Sequence, residues 1–173
     1  VGGANVTVGA LSGGSISVTG RSGSLTLNGP IAARNTALLQ AATSLNLAVG
    51  ATVDARNGVT LRGATIAAAG DLDVDTLSGA LVMSGAATAQ NNIILTSLGT
   101  ITADALTAQT GSLTANSRID LTLNGAASAR GDVRLTSLTR VETRALTSTL
   151  ADVVVDGTAI SVSVGAVSAG RDV

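Results

Sequence analysis

Apolar and polar positions alternate along this chain in short bursts, and the bursts return at a fixed step. Ile93, Leu113, Val133, Val153 and Val173 are aliphatic at intervals of twenty, and Leu95, Ala115, Leu135 and Val155 repeat the pattern two positions further on. Another ladder runs Ile101, Leu121, Val141 and breaks at Ser161, where Ile160 and Val162 signal a slip of one residue. Upstream, "SLTLNG" (24–29) and "SLNLAV" (44–49) are also twenty apart, but between about 48 and 80 the pattern fixes no register. A longer match, "SGAATAQNNIILTSL" (84–98) over "NGAASARGDVRLTSL" (124–138), makes the full period forty, with the step of twenty inside it.

Two-residue alternation within a twenty-residue unit predicts two or three strands of four to six residues per unit, with alternate side chains on opposite faces. If each unit closes one coil, equivalent strands lie side by side in parallel about 4.8 Å apart, and inward residues stack into aliphatic columns. The fold expected is all-β, a right-handed parallel β-helix with about twenty residues per coil, filling 1–173 as a single repeat segment of eight to nine coils. Small residues such as Ala103, Ala105 and Ala145 are expected to point inward and let the coil narrow at its corners. A left-handed β-helix would show a six-residue step that is absent here, and an antiparallel sandwich gives no reason for one ladder to recur every twenty residues.

Composition sharpens this picture. The chain of 173 residues is 45% hydrophobic yet has no Phe, Tyr or Trp, so its core must be built from Ala, Val, Leu and Ile. Such a core suits a thin, regular interior, and the Gly, Ser, Thr and Asn content supplies tight turns. Cys and His are both absent, which removes disulfides, thiolate metal sites and the usual general base near neutral pH. Net charge is −1, with Arg the only basic residue type, so no global field draws the chain to nucleic acid, and no apolar run is long enough to span a bilayer. Starting at Val1 without a signal-like stretch and ending in mid-pattern, the chain is expected to be a piece of something longer.

Candidate chemistry is sparse. "GDLDVDTL" sets Asp71, Asp73 and Asp75 on one strand face; neighbours there are about 6.6 Å apart, so a shared cation would need ligands from the next coil. Glu142, the only Glu, has no evident carboxylate partner for glycoside hydrolysis, so no catalytic residue, metal site or cofactor is expected. Arg118, Arg130, Arg134, Arg140 and Arg144 form a sequence cluster that sulfated polysaccharide could use, and Arg140 should stack on Asp120 as an exposed ion pair. The triplet Arg130, Gly131, Asp132 is the one receptor-type motif. It aligns with Asn91–Asn92, Gly111–Ser112, Ala151–Asp152 and Arg171–Asp172, which places it at a corner between strands. Turn chemistry explains such a corner too, through residues that tolerate positive φ or bond their own backbone.

Units such as "VGGANVTVGALSGGSISVTG" (1–20), "GATIAAAGDLDVDTLSGAL" (63–81) and "TANSRIDLTLNGAASARGDVRL" (114–135) resemble the repeats of the filamentous haemagglutinin family, bacterial exoproteins exported by two-partner secretion. The resemblance spans essentially the whole chain. It implies a β-helical shaft, secreted through an outer-membrane partner and displayed at the cell surface, and adhesion to host cells through integrin and glycans. Carried onto this sequence, the integrin contact can only be Arg130, Gly131 and Asp132. A passive rod presenting a distal adhesive or toxin domain is the alternative, with a polysaccharide-degrading enzyme a distant third.

Overall fold

The computed structural model describes residues 2–156 and 161–173. Every strand pairing in it is parallel, and successive strands of each pairing come from successive coils of one β-solenoid with three faces. In the coil starting at Asp120, the strand Asp120–Ala129 bends at Asn124–Gly125 and so supplies two faces, and Val133–Ser137 supplies the third. Eight strands stack on this third face, from Leu11–Gly13 to Val153–Asp156. At the usual strand spacing they make a rod roughly 34 Å long.

The predicted ladders are the inward columns, except that Val173, the last member of the first, is exposed. Leu95, Ala115, Leu135 and Val155 pair in register, as do Ile93, Leu113, Val133 and Val153, and Ile101, Leu121 and Val141. Leu95, Leu113, Val133 and Leu135 are fully buried, each contributing on the order of 1.5–3 kcal/mol by leaving water. Leu25 and Leu45 pair as the upstream match requires. The slip near Ser161 is present, since Val141 pairs with Val162; Ile160 itself lies outside the described residues. Of the alanines expected inside, Ala103 is buried, whereas Ala105 and Ala145 sit partly exposed at the corner.

Register between 48 and 80 was illegible for a geometric reason. Along the third face the partners run Leu11, Ile31, Val53, Val74, Leu95, steps of 20, 22, 21 and 21 residues, before settling at 20. The variation is largest at the corner joining the first two faces, here corner one. There the inward pairs Val18 and Leu25, Leu39 and Leu45, Leu61 and Ile66, Met83 and Ala87, Ala103 and Leu106 lie seven, six, five, four and three residues apart.

From Met83 to Leu146, corner one alternates between long and short forms, and the last coil, Val164–Val167, keeps the short one. Met83–Ala87 and Leu123–Ala127 span four residues and pair a large side chain with Ala; Ala103–Leu106 and Thr143–Leu146 span three and place Leu second. Large and small thus interlock across neighbouring coils, as dense packing requires. The two forms also bond each other: Gly85, at φ +114, donates its N–H to the Asp104 carboxylate at 2.8 Å. Two coils make one unit, which is the physical content of the forty-residue period.

Candidate functional site: the Arg-Gly-Asp corner

The triplet lies at the corner between the second and third faces, corner two. Residues here stack at one position per coil, in the series Asp71, Asn92, Ser112, Asp132, Asp152, Asp172. Each side chain accepts the backbone N–H of the next member: Asp71 from Asn92 at 2.9 Å, Asn92 from Ser112 at 2.9 Å, Ser112 from Asp132 at 3.1 Å, Asp132 from Asp152 at 3.1 Å and Asp152 from Asp172 at 3.2 Å. A short oxygen-bearing side chain is what this geometry needs, which explains why Asp, Asn and Ser recur. The expectation that these residues bond their own backbone is corrected: they bond the neighbouring coil.

Gly131 is also present for a different reason from the one expected. Positive φ among the described residues occurs only at Gly50, Gly58 and Gly85. At Gly131 the constraint is space, because a Cβ there would lie 2.5 Å from Ser112 Oγ and 3.2 Å from Gly111 O.

Every backbone polar group of the triplet is taken by an adjacent coil. Arg130 N–H donates to Ala108 O at 3.3 Å and its carbonyl accepts from Leu150 at 3.0 Å. Gly131 N–H donates to Gly111 O at 2.8 Å, and its carbonyl accepts from Ser148 Oγ at 2.8 Å. Asp132 N–H donates to Ser112 Oγ, and its carbonyl accepts from Leu113 at 2.9 Å. The Arg130 and Asp132 side chains are exposed, but the peptide beneath them is held flat on both sides.

The three aspartates of "GDLDVDTL" separate. Asp71 belongs to the corner-two ladder, while Asp73 and Asp75 point outward on the third face, where Asp75 lies directly beside Asp54 of the preceding coil. Partial burial, reinforced by the charge of Asp75, raises the Asp54 and Asp73 carboxyls above their ordinary value. Among the described residues no group of acids is arranged to hold a metal ion.

The five clustered arginines likewise disperse around the girth: Arg130 at corner two, Arg134 on the third face, Arg144 at corner one, Arg118 and Arg140 around the corner between the third and first faces, here corner three. Asp120 and Arg140 are register partners as predicted, but the expected ion pair is not made. Arg140 pairs with Glu142 on its own strand, and Asp120 accepts from Thr139 Oγ1 at 2.8 Å. The other ion pairs among described residues are Arg134–Asp156 at 3.8 Å and Arg171–Asp152 at 3.0 Å.

Two features went unread in the sequence, both at corner three. Thr76, Ser97, Ser117 and Ser137 stack as a buried hydroxyl column: Thr76 donates to Gly79 O in its own turn, and Ser97, Ser117 and Ser137 donate to Gly79, Gly99 and Ile119 O in the turn of the preceding coil. One position later, Leu77, Leu98 and Leu138 stand exposed along the rod. The repeated "TSL" of 96–98 and 136–138 was the available signal; it registered only as part of the period.

No protein-family model, curated protein or solved structure matches this chain. What its own geometry defines is a parallel β-solenoid. No helix among the described residues is long and apolar enough to cross a membrane.

Proposed function

We propose that this chain is a section of the rigid shaft of a secreted bacterial surface protein, of the kind its repeats resemble, and that its work is mechanical spacing. The observation that carries this reading is the corner-two ladder, in which side chain and backbone alike are spent on coil-to-coil bonds, the Arg-Gly-Asp triplet included. A chain whose turns are tied at each coil resists bending, which a spacer requires, and the triplet's corner projects no loop. Secretion through an outer-membrane partner, and display of an adhesive or toxin domain elsewhere in the protein, belong to the same proposal.

A second reading, integrin-type adhesion through Arg130, Gly131 and Asp132, is favoured by one observation: both charged side chains reach solvent. Attachment of integrin-bearing cells to the immobilised chain decides between them. Asp132→Glu keeps the charge and lengthens the side chain. The spacer reading expects wild type and variant to support equally low attachment. Strong attachment that a soluble Arg-Gly-Asp peptide competes away and Asp132→Glu abolishes would overturn it in favour of adhesion.

A further inference from the structure

Corner three changes character along the rod. Its outward column reads Gly14, Arg34, Arg56, Leu77, Leu98, Arg118, Leu138, one residue per coil, as the backbone bonds of Arg34 to Gly13, Arg56 to Ala33, Leu77 to Ala55, Leu98 to Thr76 and Arg118 to Ser97 establish. Toward the carboxyl end this column is a ridge: Leu77, Leu98 and Leu138 are 63%, 47% and 50% exposed. Toward the amino end it borders a groove of about 860 Å³, floored by Ala33 and Ala55 and flanked by Arg34, Arg56, Asp54 and Asp75. None of these four charges is in an ion pair within the described residues, where Asp75 Oδ1, itself buried, also accepts no hydrogen bond. Ridge and groove share one corner and meet at Leu77, which belongs to both.

We propose that this corner is a self-association surface on which a second copy of the chain docks antiparallel, with its two-fold axis at Leu98. A two-fold interface requires one patch to complement itself, and a ridge running into a groove on a regular lattice does so. Placing the axis at Leu98 sets that residue against its own counterpart. The coil of Arg118 then faces the coil of Leu77 and Asp75, so the aliphatic stem of Arg118 covers Leu77 and its guanidinium meets the unpaired Asp75 carboxylate. Leu138 falls opposite the coil of Asp54 and Arg56, over the alanine floor of the groove. Each copy donates Arg118 and receives Arg118, so the contact closes at two chains.

Spacing supports the match, because both copies repeat along the rod at the same strand interval of about 4.8 Å and successive contacts stay in step. From Arg56 to Leu138 the strip covers four intervals, roughly 19 Å, and one corner in width. That is small for a specific interface, so association is expected in the micromolar range or weaker. A free charge pair at the rim of each half gives the pairing its direction.

Sedimentation velocity over a wide concentration range tests this on the intact chain. Wild type is expected to pass from monomer to dimer, and Leu98→Asp to weaken dimerisation by about tenfold or more. Leu150→Asp, an equally exposed leucine on a different corner, is expected to leave it unchanged. Arg118→Asp and Asp75→Arg should each weaken the dimer, and both exchanges in one chain should restore it. A wild type that stays monomeric throughout, larger open-ended species, an equal effect from Leu150→Asp, or a double exchange that fails to recover would each overturn the proposal.

Discussion

Corner three holds two halves of the molecule to one backbone path with different inner residues, Gly13, Ala33 and Ala55 toward the amino end and Thr76, Ser97, Ser117 and Ser137 beyond them. Where the inner residue carries a hydroxyl, it reaches the carbonyl of the preceding coil's turn, at 2.8 Å for Ser97 to Gly79 and Ser117 to Gly99, and ties that turn to the coil above it. Where the inner residue is Gly or Ala there is no such tie, and a groove remains between the outward columns. A buried hydroxyl with a partner therefore acts here as a clasp: the solenoid can leave a corner open or close it by exchanging one small residue for another.

The largest contrast should come from glycines on either side of that boundary. At Gly79, in the clasped half, an added Cβ would lie 1.5 Å from Asn57 O and 2.0 Å from its carbonyl carbon, so the backbone itself would have to move. At Gly14, in the open half, nothing lies within 4 Å. Gly79→Ala is expected to cost about 3–5 kcal/mol in urea unfolding and Gly14→Ala less than about 0.5 kcal/mol. Similar losses from the two would show that the halves are equally tight and would remove the basis of the comparison.

Next in size is the clasp itself. Ser137 is fully buried; its hydroxyl donates to Ile119 O at 2.5 Å and accepts from the Thr139 and Arg140 N–H groups at 3.3 Å. Ser137→Ala removes these bonds while Thr139 N–H keeps its bond to Ile119 O at 3.2 Å, a loss of about 0.5–1.5 kcal/mol. Ser12→Ala, an exposed hydroxyl on the rim of the groove, should change stability by less than about 0.5 kcal/mol. If Ser137→Ala were as mild as Ser12→Ala, small size rather than hydrogen bonding would account for the column.

Much of this architecture was legible because period is a strong signal and chemistry is a weak one. Leu95, Ala115, Leu135 and Val155 could be placed inside from their spacing alone, since a solenoid repeats each environment at every coil. Where corner one lengthens from three to seven residues, the same logic lost register, although Leu61 and Ile66 were no less apolar than their successors. Partners of side chains were harder still. Arg140 and Asp120 do stack, yet Arg140 found Glu142, because alternate residues on one strand face compete with the next coil for a long, flexible guanidinium. Ser97, Ser117 and Ser137 stood at intervals of twenty in plain view; hydroxyls count as polar, so a pattern built on apolar positions passed over the column that closes the corner.

Acid should separate the two halves by sign, with the smallest effect of the three. In the amino-terminal half, burial and then the charge of Asp75 raise the Asp54 and Asp73 carboxyls above the ordinary 3.8, so the folded chain binds protons more readily there than the unfolded chain does. Their repulsion is relieved as pH falls through those raised values toward 3.8, and the coils that carry them gain stability. In the carboxyl-terminal half, the hydrogen bond from Arg171 holds the Asp152 carboxyl below 3.8. The unfolded chain is then the better proton acceptor, so that stabilisation is complete above 3.8 and is lost as pH drops below it. Both sites are largely open to water, so salt should mute both responses. Amide hydrogen exchange corrected for its intrinsic pH dependence reads the halves separately: protection around Thr52–Thr76 should rise on approaching 3.8 from neutral pH, and protection around Val153–Asp156 should hold to that point and fall beyond it. Loss of protection in both segments together, beginning well above 3.8, would mean that the coils respond to acid as one cooperative body and that the local charges do not set the difference between them.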